Sequence, residues 1–342
     1  MSILSGASPA SGRALLRRYL FMLDAFLHAL SAVFVLVCVA GLGWYSSAKG
    51  WYDEAGKRLV SKIVGLAIPF FLFYSITSKF THAQLLELLR ISGLPFMAFA
   101  VYIVTSWLIC KAGLVRDEWH GTFIAEFSGS SLLFVGIPVT YAMFGDRGIP
   151  YLLVYFFANV IFVWTIGLYN VQLDGVRHTG KPAPKFFSRQ SLKMIFTKPL
   201  IGFLIGVLCV AIDLKIPQPI SLATRLIGQI CSPLALIFIG ITVQQIGFAR
   251  FKHLPRETWI ILFGCNVYKP LVMFLISQLL VMDPMMRQIL ILSSVMPVSP
   301  MLGVLAKLHD GPADFASATV GVTVAALTFT LPVIMVLVSF MK

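Results

Sequence analysis

The chain has 342 residues, of which 58% are hydrophobic and only 12% charged, with a mean hydropathy of +0.88. Soluble domains carry roughly a quarter of their residues as charges, and a water-facing surface this poor in charge would expose large apolar patches and aggregate. That excludes a soluble enzyme or a free nucleic-acid binder despite the net charge of +13, and it points to an all-α polytopic membrane protein.

A helical span needs roughly 20 apolar residues. Apolar runs bounded by charge, Gly or Pro fall at 24–46, 59–79, 94–112, 120–144, 149–172, 199–214, 220–247, 258–281, 285–308 and 315–340, which predicts ten spans. Residues 1–23 form an N-terminal segment. The run after Arg17 and Arg18 is long enough to span and lacks a clear small-residue cleavage site, so a membrane span is expected there rather than a leader. Asp24, His28 and Arg225 lie near span ends and read as interfacial. The second span carries Pro69 in its middle, and the seventh carries Pro233. The fourth reads SGSSLLFVGIPVTYAMFG and holds Ser130, Ser131, Gly136 and Pro138, with Glu126 about two turns into the span. Asn159 in the fifth span and Gln229 and Gln244 in the seventh read either as lining a pathway or, as polar residues in bundles more often do, as joining helices together. The eighth contains GCNVYKPLVMF, with Asn266 and Lys269, and the ninth SSVMPVSPMLGVLAKLHDG, with Ser293, Ser294, Pro297 and Ser299.

The basic segment 173–198 divides the chain into five spans (24–172) and five spans (199–342). From Asp174 to Lys198 it holds six Lys/Arg against one acid, and such a short basic loop belongs on the cytoplasmic side. Sixteen of the 27 Lys and Arg then fall inside and ten outside, with Lys269 left within a span. The orientation expected is multi-pass in the plasma membrane (a bacterial inner membrane), with both termini outside. Most of the positive charge is thereby topology rather than a nucleic-acid surface.

The two halves echo each other: Pro69 to Pro138 is 69 residues and Pro233 to Pro297 is 64. With an odd number of spans per half, the second half enters the membrane in the opposite sense. Matching Pro/Gly interruptions in inverted halves point to a secondary transporter and its binding site. Proline removes a backbone donor and clashes with the preceding turn. The freed polar groups are tolerated in a membrane only inside protein or beside a water-filled cavity. Beyond each break a half-helix offers free N–H groups and its positive dipole end, which favour an anion. Two inverted breaks would bring two such ends together, with the serines as further hydrogen-bonding groups.

An intramembrane charge is costly and faces a cavity or a partner. Lys269, directly before Pro270, reads either as a partner of an anionic substrate or as half of a structural ion pair, with Asn266 on the same helical face. Glu126 is the candidate for a coupling carboxylate or for that ion-pair partner. No HExxH, GxSxG or paired intramembrane aspartates occur, so no enzyme is expected, and the five isolated cysteines form neither a disulfide framework nor a zinc site. No cofactor and no metal site are expected. Without a phosphate-binding GxxxxGK[ST] loop, ATP coupling within the chain is not expected either.

FVGIPVTYAMFG resembles the crossover segment of the auxin efflux carrier family, and LVCVAGLGWYSSAKGWYDEAGKRLVSKIVGLAIPFFLFYSI its first two spans. SPLALIFIGITV resembles its seventh span, and the stretch from SSVMPVSP to TFTLPV its last two. The resemblance implies ten helices in two inverted five-helix repeats, related to bile acid/sodium symporters. Spans 1, 2, 6 and 7 would be a scaffold through which members dimerise. Spans 3–5 and 8–10 would form a moving transport domain whose helices 4 and 9 cross at Pro138 and Pro297, with an elevator-like cycle. Family members usually carry Asn where this chain has Ser131, and the long hydrophilic loop of the plant members is absent, which favours a bacterial-type carrier.

The expectation is a secondary carrier of small organic anions, mono- or dicarboxylates such as malate or malonate. Their carboxylate would be bound by Ser130, Ser131, Gly136, Pro138, Pro297, Ser299, Asn266 and Lys269. The alternatives are an auxin-like aromatic carboxylate efflux carrier or an anion channel. The implied partners are the substrate, a coupling proton or sodium ion, the lipid bilayer and a second copy of the chain, with no nucleic acid.

Overall fold

The computed structural model describes residues 34–180, 198–246 and 254–339, together with Ser31 and Phe196. The predicted N-terminal segment, Asp24, His28 and most of the basic loop lie outside the described residues. Among the described residues every regular element is helical. The first half of the chain holds α1 (Phe34–Ala48), α2 (Glu54–Lys79), α3 (His82–Ile91) and α4 (Gly93–Lys111), then α5 (His120–Ser128), α6 (Ile137–Phe144), α7 (Ile149–Phe162) and α8 (Leu168–Thr179). The second holds α9 (Lys198–Ala211), α10 (Gln218–Gln229), α11 (Cys231–Ile246), α12 (Arg256–Phe263), α13 (Lys269–Ser277), α14 (Pro284–Val295), α15 (Pro300–Leu308) and α16 (Ala313–Ser339). Single π-helical turns stand at Leu132–Gly136, Val163–Gly167 and Gly264–Tyr268.

Local chemistry sets several of these ends. Asp53 caps α2 by accepting from the Gly56 N–H at 2.7 Å, and Asp283 caps α14 by accepting from Met285, with Pro284 at the first helical position. Pro69 sits inside α2 without ending it. Pro233 is the third residue of α11, where the missing N–H would have had no partner within the helix.

Among the described residues six helical stretches are long and apolar enough to cross a membrane, and Phe34–Ala48, Lys198–Ala211 and Ala313–Leu327 are shorter apolar helices. One of the six, Asp117–Thr179, contains two of the expected spans, divided at the 3-10 turn Gly145–Gly148. Large apolar side chains stand exposed on outer faces, as along α9 at Ile201, Ile205 and Leu208. That surface suits hydrocarbon rather than water.

Packing separates the helices into two groups. Helix α2 lies against α9, α10 and α11. A Cβ on Gly202 of α9 would come within 2.5 Å of the Pro69 carbonyl oxygen, and one on Gly240 of α11 within 1.9 Å of the Ala40 oxygen on α1. Small residues thus let these backbones touch. In the other group α5 packs on α4 and α8, α13 on α4 and α14, and α16 on α12, α14 and α15. The groups meet where α11 runs against α6, the Leu132–Gly136 turn and α16.

Candidate functional site: two helix breaks at one cavity

The first break does not fall at Pro138, as the proline pattern predicts, but seven residues earlier. Helix α5 ends at Ser128, and Gly129 takes up extended backbone (φ −72°, ψ 158°). Helical structure resumes at Leu132, and Pro138 is the second residue of α6. A proline ring clashes with the carbonyl four residues before it, and the wider π turn directly ahead of Pro138 relieves that clash. Pro270 follows the Gly264–Tyr268 turn in the same way. The second break does contain its proline, since Met296–Ser299 lie between α14 and α15.

The two breaks touch. The Ser131 N–H donates to the Pro297 carbonyl at 2.7 Å, so the crossing lies at Ser131 and Pro297. Each break is also held by a side chain from a helix further along the chain. Asn159 on α7 accepts from the Ser130 N–H at 2.9 Å and donates to the Ser130 carbonyl at 3.1 Å. Thr323 on α16 accepts from the Val298 N–H at 3.2 Å. These groups satisfy backbone that the missing helical turns leave bare. Thr323 is a residue that sequence reasoning missed. Its signal was positional, because it follows Pro297 by 26 residues much as Asn159 follows Ser131 by 28.

Lys269 is fully buried. Its Nζ donates to the Gly129 carbonyl at 3.2 Å and to the Ser130 Oγ at 3.1 Å. It thus closes the C-terminal end of α5 by giving a carbonyl freed at the helix end a donor. The Tyr102 hydroxyl donates to the Lys269 backbone carbonyl at 3.0 Å, and the Tyr155 hydroxyl lies beside Tyr102 and Ser130. Glu126, one turn back along α5, is also fully buried, next to Thr319, and neither carboxyl oxygen has a hydrogen-bond partner. No Lys269–Glu126 ion pair forms: Lys269 finds its acceptors at the helix end, and Cys265 is close to both groups.

Asn266 is not brought to the crossing. Its side chain donates to the Leu262 carbonyl of its own helix at 2.8 Å, and the extra residue in the π turn between it and Lys269 removes the shared face expected of regular helix. Ser293 and Ser294 likewise bond their own helix, to Ile289 and Ile291. Gly136 and Pro138 are buried behind the break. Gln244 accepts from Ser47 at 2.8 Å and so joins α11 to α1, the role its residue type suggested.

In front of the crossing lies a cavity of about 690 Å³. Ser130, Ser131, Asn159 and Ser299 supply its polar wall, with the first turn beyond each break (Leu132–Phe134 and Met301) beside them. The Ser131 hydroxyl has no protein partner. Across from them stand Lys62 of α2 and Lys198 of α9, and among the described lining residues there is no acid. Phe156 and Trp164 make an apolar side. Neither lysine was singled out from the sequence, where they read only as loop-end charges. A second cavity of about 740 Å³ adjoins the first through Ser61 and is lined by Lys57, Arg58 and Lys307, with Glu54.

Contacts collect the basic loops at this end of the bundle. Arg177 donates to the Asp117 carbonyl, Arg256 to that of Gly113, and Arg116 pairs with Glu257 at 3.5 Å. A cationic mouth of this kind raises the local concentration of anions.

Apolar helices interrupted at a cavity with a polar wall are the equipment of a membrane transporter. A family model described as "Membrane transport protein" matches residues 28–335, and the chain belongs to that family, the auxin efflux carrier family that its motifs resemble. It is 23% identical over 312 residues to an uncharacterized transporter of Methanocaldococcus jannaschii, a match covering 89% of this chain and 96% of the relative. It is 22% identical over 312 residues to an uncharacterized transporter of Methanothermobacter thermautotrophicus, covering 90% and 97%.

Proposed function

We propose that the chain is a secondary carrier of small organic anions, mono- or dicarboxylates of the size of malate or malonate. The observation that carries this reading is the cavity at the crossing, where two half-helix N-termini, four serines and two lysines line one space with no acid among the described lining residues. The substrate carboxylate rests on the N–H groups after Ser131 and Ser299 and on the Ser131 hydroxyl. Lys62 and Lys198 neutralise a second carboxylate.

The ten apolar runs are ten spans in two inverted five-helix repeats (24–172 and 199–342), with both termini outside a plasma membrane. The group built on α1, α2 and α9–α11 is the scaffold, through which two copies pair. The α4–α8 and α12–α16 group moves against it as an elevator, carrying the crossing and half of the cavity wall.

Uptake of radiolabelled malonate and malate into proteoliposomes, with aromatic carboxylates as competitors, tests the substrate class. Saturable uptake abolished by Lys62→Gln/Lys198→Gln is the expected result. Saturable flux of aromatic carboxylates alone would favour the apolar Phe156/Trp164 side as the specificity determinant, and non-saturating flux would indicate a channel.

A further inference from the structure

Lys269 and Glu126 are both buried completely at the crossing, and neither touches an opposite charge. A lone charge in such surroundings costs several kcal/mol unless an opposite charge meets it. A carbonyl and a hydroxyl, both neutral, accept from Lys269, and the Cys265 thiol lies within hydrogen-bond reach of the same Nζ. The ionisable groups that face it are Cys265 and Tyr268 from its own segment, Tyr102 from α4, Tyr155 from α7 beside Ser130, and Glu126 from α5 with Cys265 close to both. None is an anion in contact with the Nζ.

A single residue separates Lys269 from a place for an anion. Ser130, which accepts from its Nζ, is also part of the cavity wall. A carboxylate held at Ser130 and Ser131 is therefore one residue away from the lysine. Resting on the anion-carrier reading, we propose that Lys269 takes up one proton each time an anion occupies the cavity and gives it back when the anion leaves. In the empty site the side chain is the neutral amine. On loading, amine, solvent proton and carboxylate become an ammonium beside its counter-anion, with no covalent bond of the substrate made or broken. The proton comes through the water-filled cavity. Anion and proton then cross together, and a pH gradient drives transport.

The fixed charges Lys62 and Lys198 attract the anion without exchanging protons, so the coupling resides in Lys269 alone. Linkage sets the sign. If the loaded site holds one more proton than the empty one, anion affinity falls as pH rises, by about tenfold per unit over the range where the empty site has lost that proton.

The test is calorimetric titration of the full-length protein in detergent with sodium malonate, at a pH where malonate is the dianion, in two buffers of different ionisation enthalpy. The expected count is one proton taken up per malonate bound. Lys269→Arg places a cation there that does not deprotonate, and it is expected to bind malonate with no proton uptake and a flat pH profile. Lys269→Gln is expected to lose at least about tenfold in affinity, and Glu126→Gln to leave the proton count unchanged.

Wild-type binding without proton uptake overturns the inference and leaves the carrier reading standing. A proton count abolished by Glu126→Gln but not by Lys269→Arg overturns it as well. No binding of malonate, malate or aromatic carboxylates removes the anion reading and this inference with it. Should the Lys269 variants fail to elute as folded protein, the wild-type count in the two buffers decides alone.

Discussion

At the scale of single residues, the crossing separates side chains that hold the backbone from those left free for a ligand. Asn159 is of the first kind, since both its amide groups are used on Ser130. Asn159→Leu orphans a buried donor and a buried acceptor, each worth about 1–3 kcal/mol, so a marked fall in thermal unfolding temperature in detergent is expected. Ser131 is of the second kind. Its backbone is committed to Pro297, but its hydroxyl has no protein partner. Ser131→Ala should leave unfolding unchanged and weaken malonate binding by roughly tenfold or more, the worth of a hydrogen bond to a charged group. If Ser131→Ala lowers stability while sparing affinity, the hydroxyl is structural and the carboxylate lies elsewhere. The sequence made Ser131 legible by its place before the Gly-x-Pro segment. It could not show Lys62 and Lys198, because lysines 136 residues apart share a cavity only once α2 and α9 pack together.

At the scale of elements, the apolar runs and the helices agree closely, since hydropathy fixes which segments avoid water. What it misplaces is local. Proline marks strain in a helix but not where the backbone opens, and here π turns ahead of Pro138 and Pro270 absorb the strain while the chain opens at Gly129–Ser131. Helix α5 is therefore only nine residues long, too short to hold itself in place by its own hydrogen bonds. Both of its ends are tied by neighbours. At the C-terminal end this is Lys269. At the N-terminal end it is Asp174 of α8, fully buried, which accepts from the N–H groups of Gly121 at 2.9 Å and Thr122 at 2.6 Å and pairs with half-exposed Arg177. Asp174→Ala removes this cap, a loss of about 1–2 kcal/mol, readable as earlier thermal unfolding. Gly175 next to it tolerates no side chain, since a Cβ would come within 1.7 Å of the His309 carbonyl oxygen. Gly175→Ala is expected to destabilise the protein more than Asp174→Ala does, because backbone rather than a side chain must move.

At the scale of the whole molecule, the charge imbalance of +13 acquires a location. Lys57, Arg58 and Lys307 line the outer cavity, and Lys62 and Lys198 the inner one that shares Ser61 with it. This path leads from the end where the basic loops meet to the crossing. Charges at an open mouth act over about a Debye length, roughly 8–10 Å at ordinary salt, so their effect on anion capture should be screened by salt, whereas contacts at the crossing should not. Two measurements follow from this division. Initial rates of malonate uptake at low substrate concentration should fall with ionic strength in the wild type. In Lys57→Gln/Arg58→Gln/Lys307→Gln they should be lower and nearly salt-independent, while saturated rates stay close to wild type. If the orientation derived from the basic loops is right, this salt dependence arises only from the cytoplasmic side of the membrane. Sealed vesicles of the two opposite orientations, compared under the same gradient, should therefore differ in salt sensitivity. Equal sensitivity on both sides would mean that the cationic mouth is not the route by which anions reach the crossing.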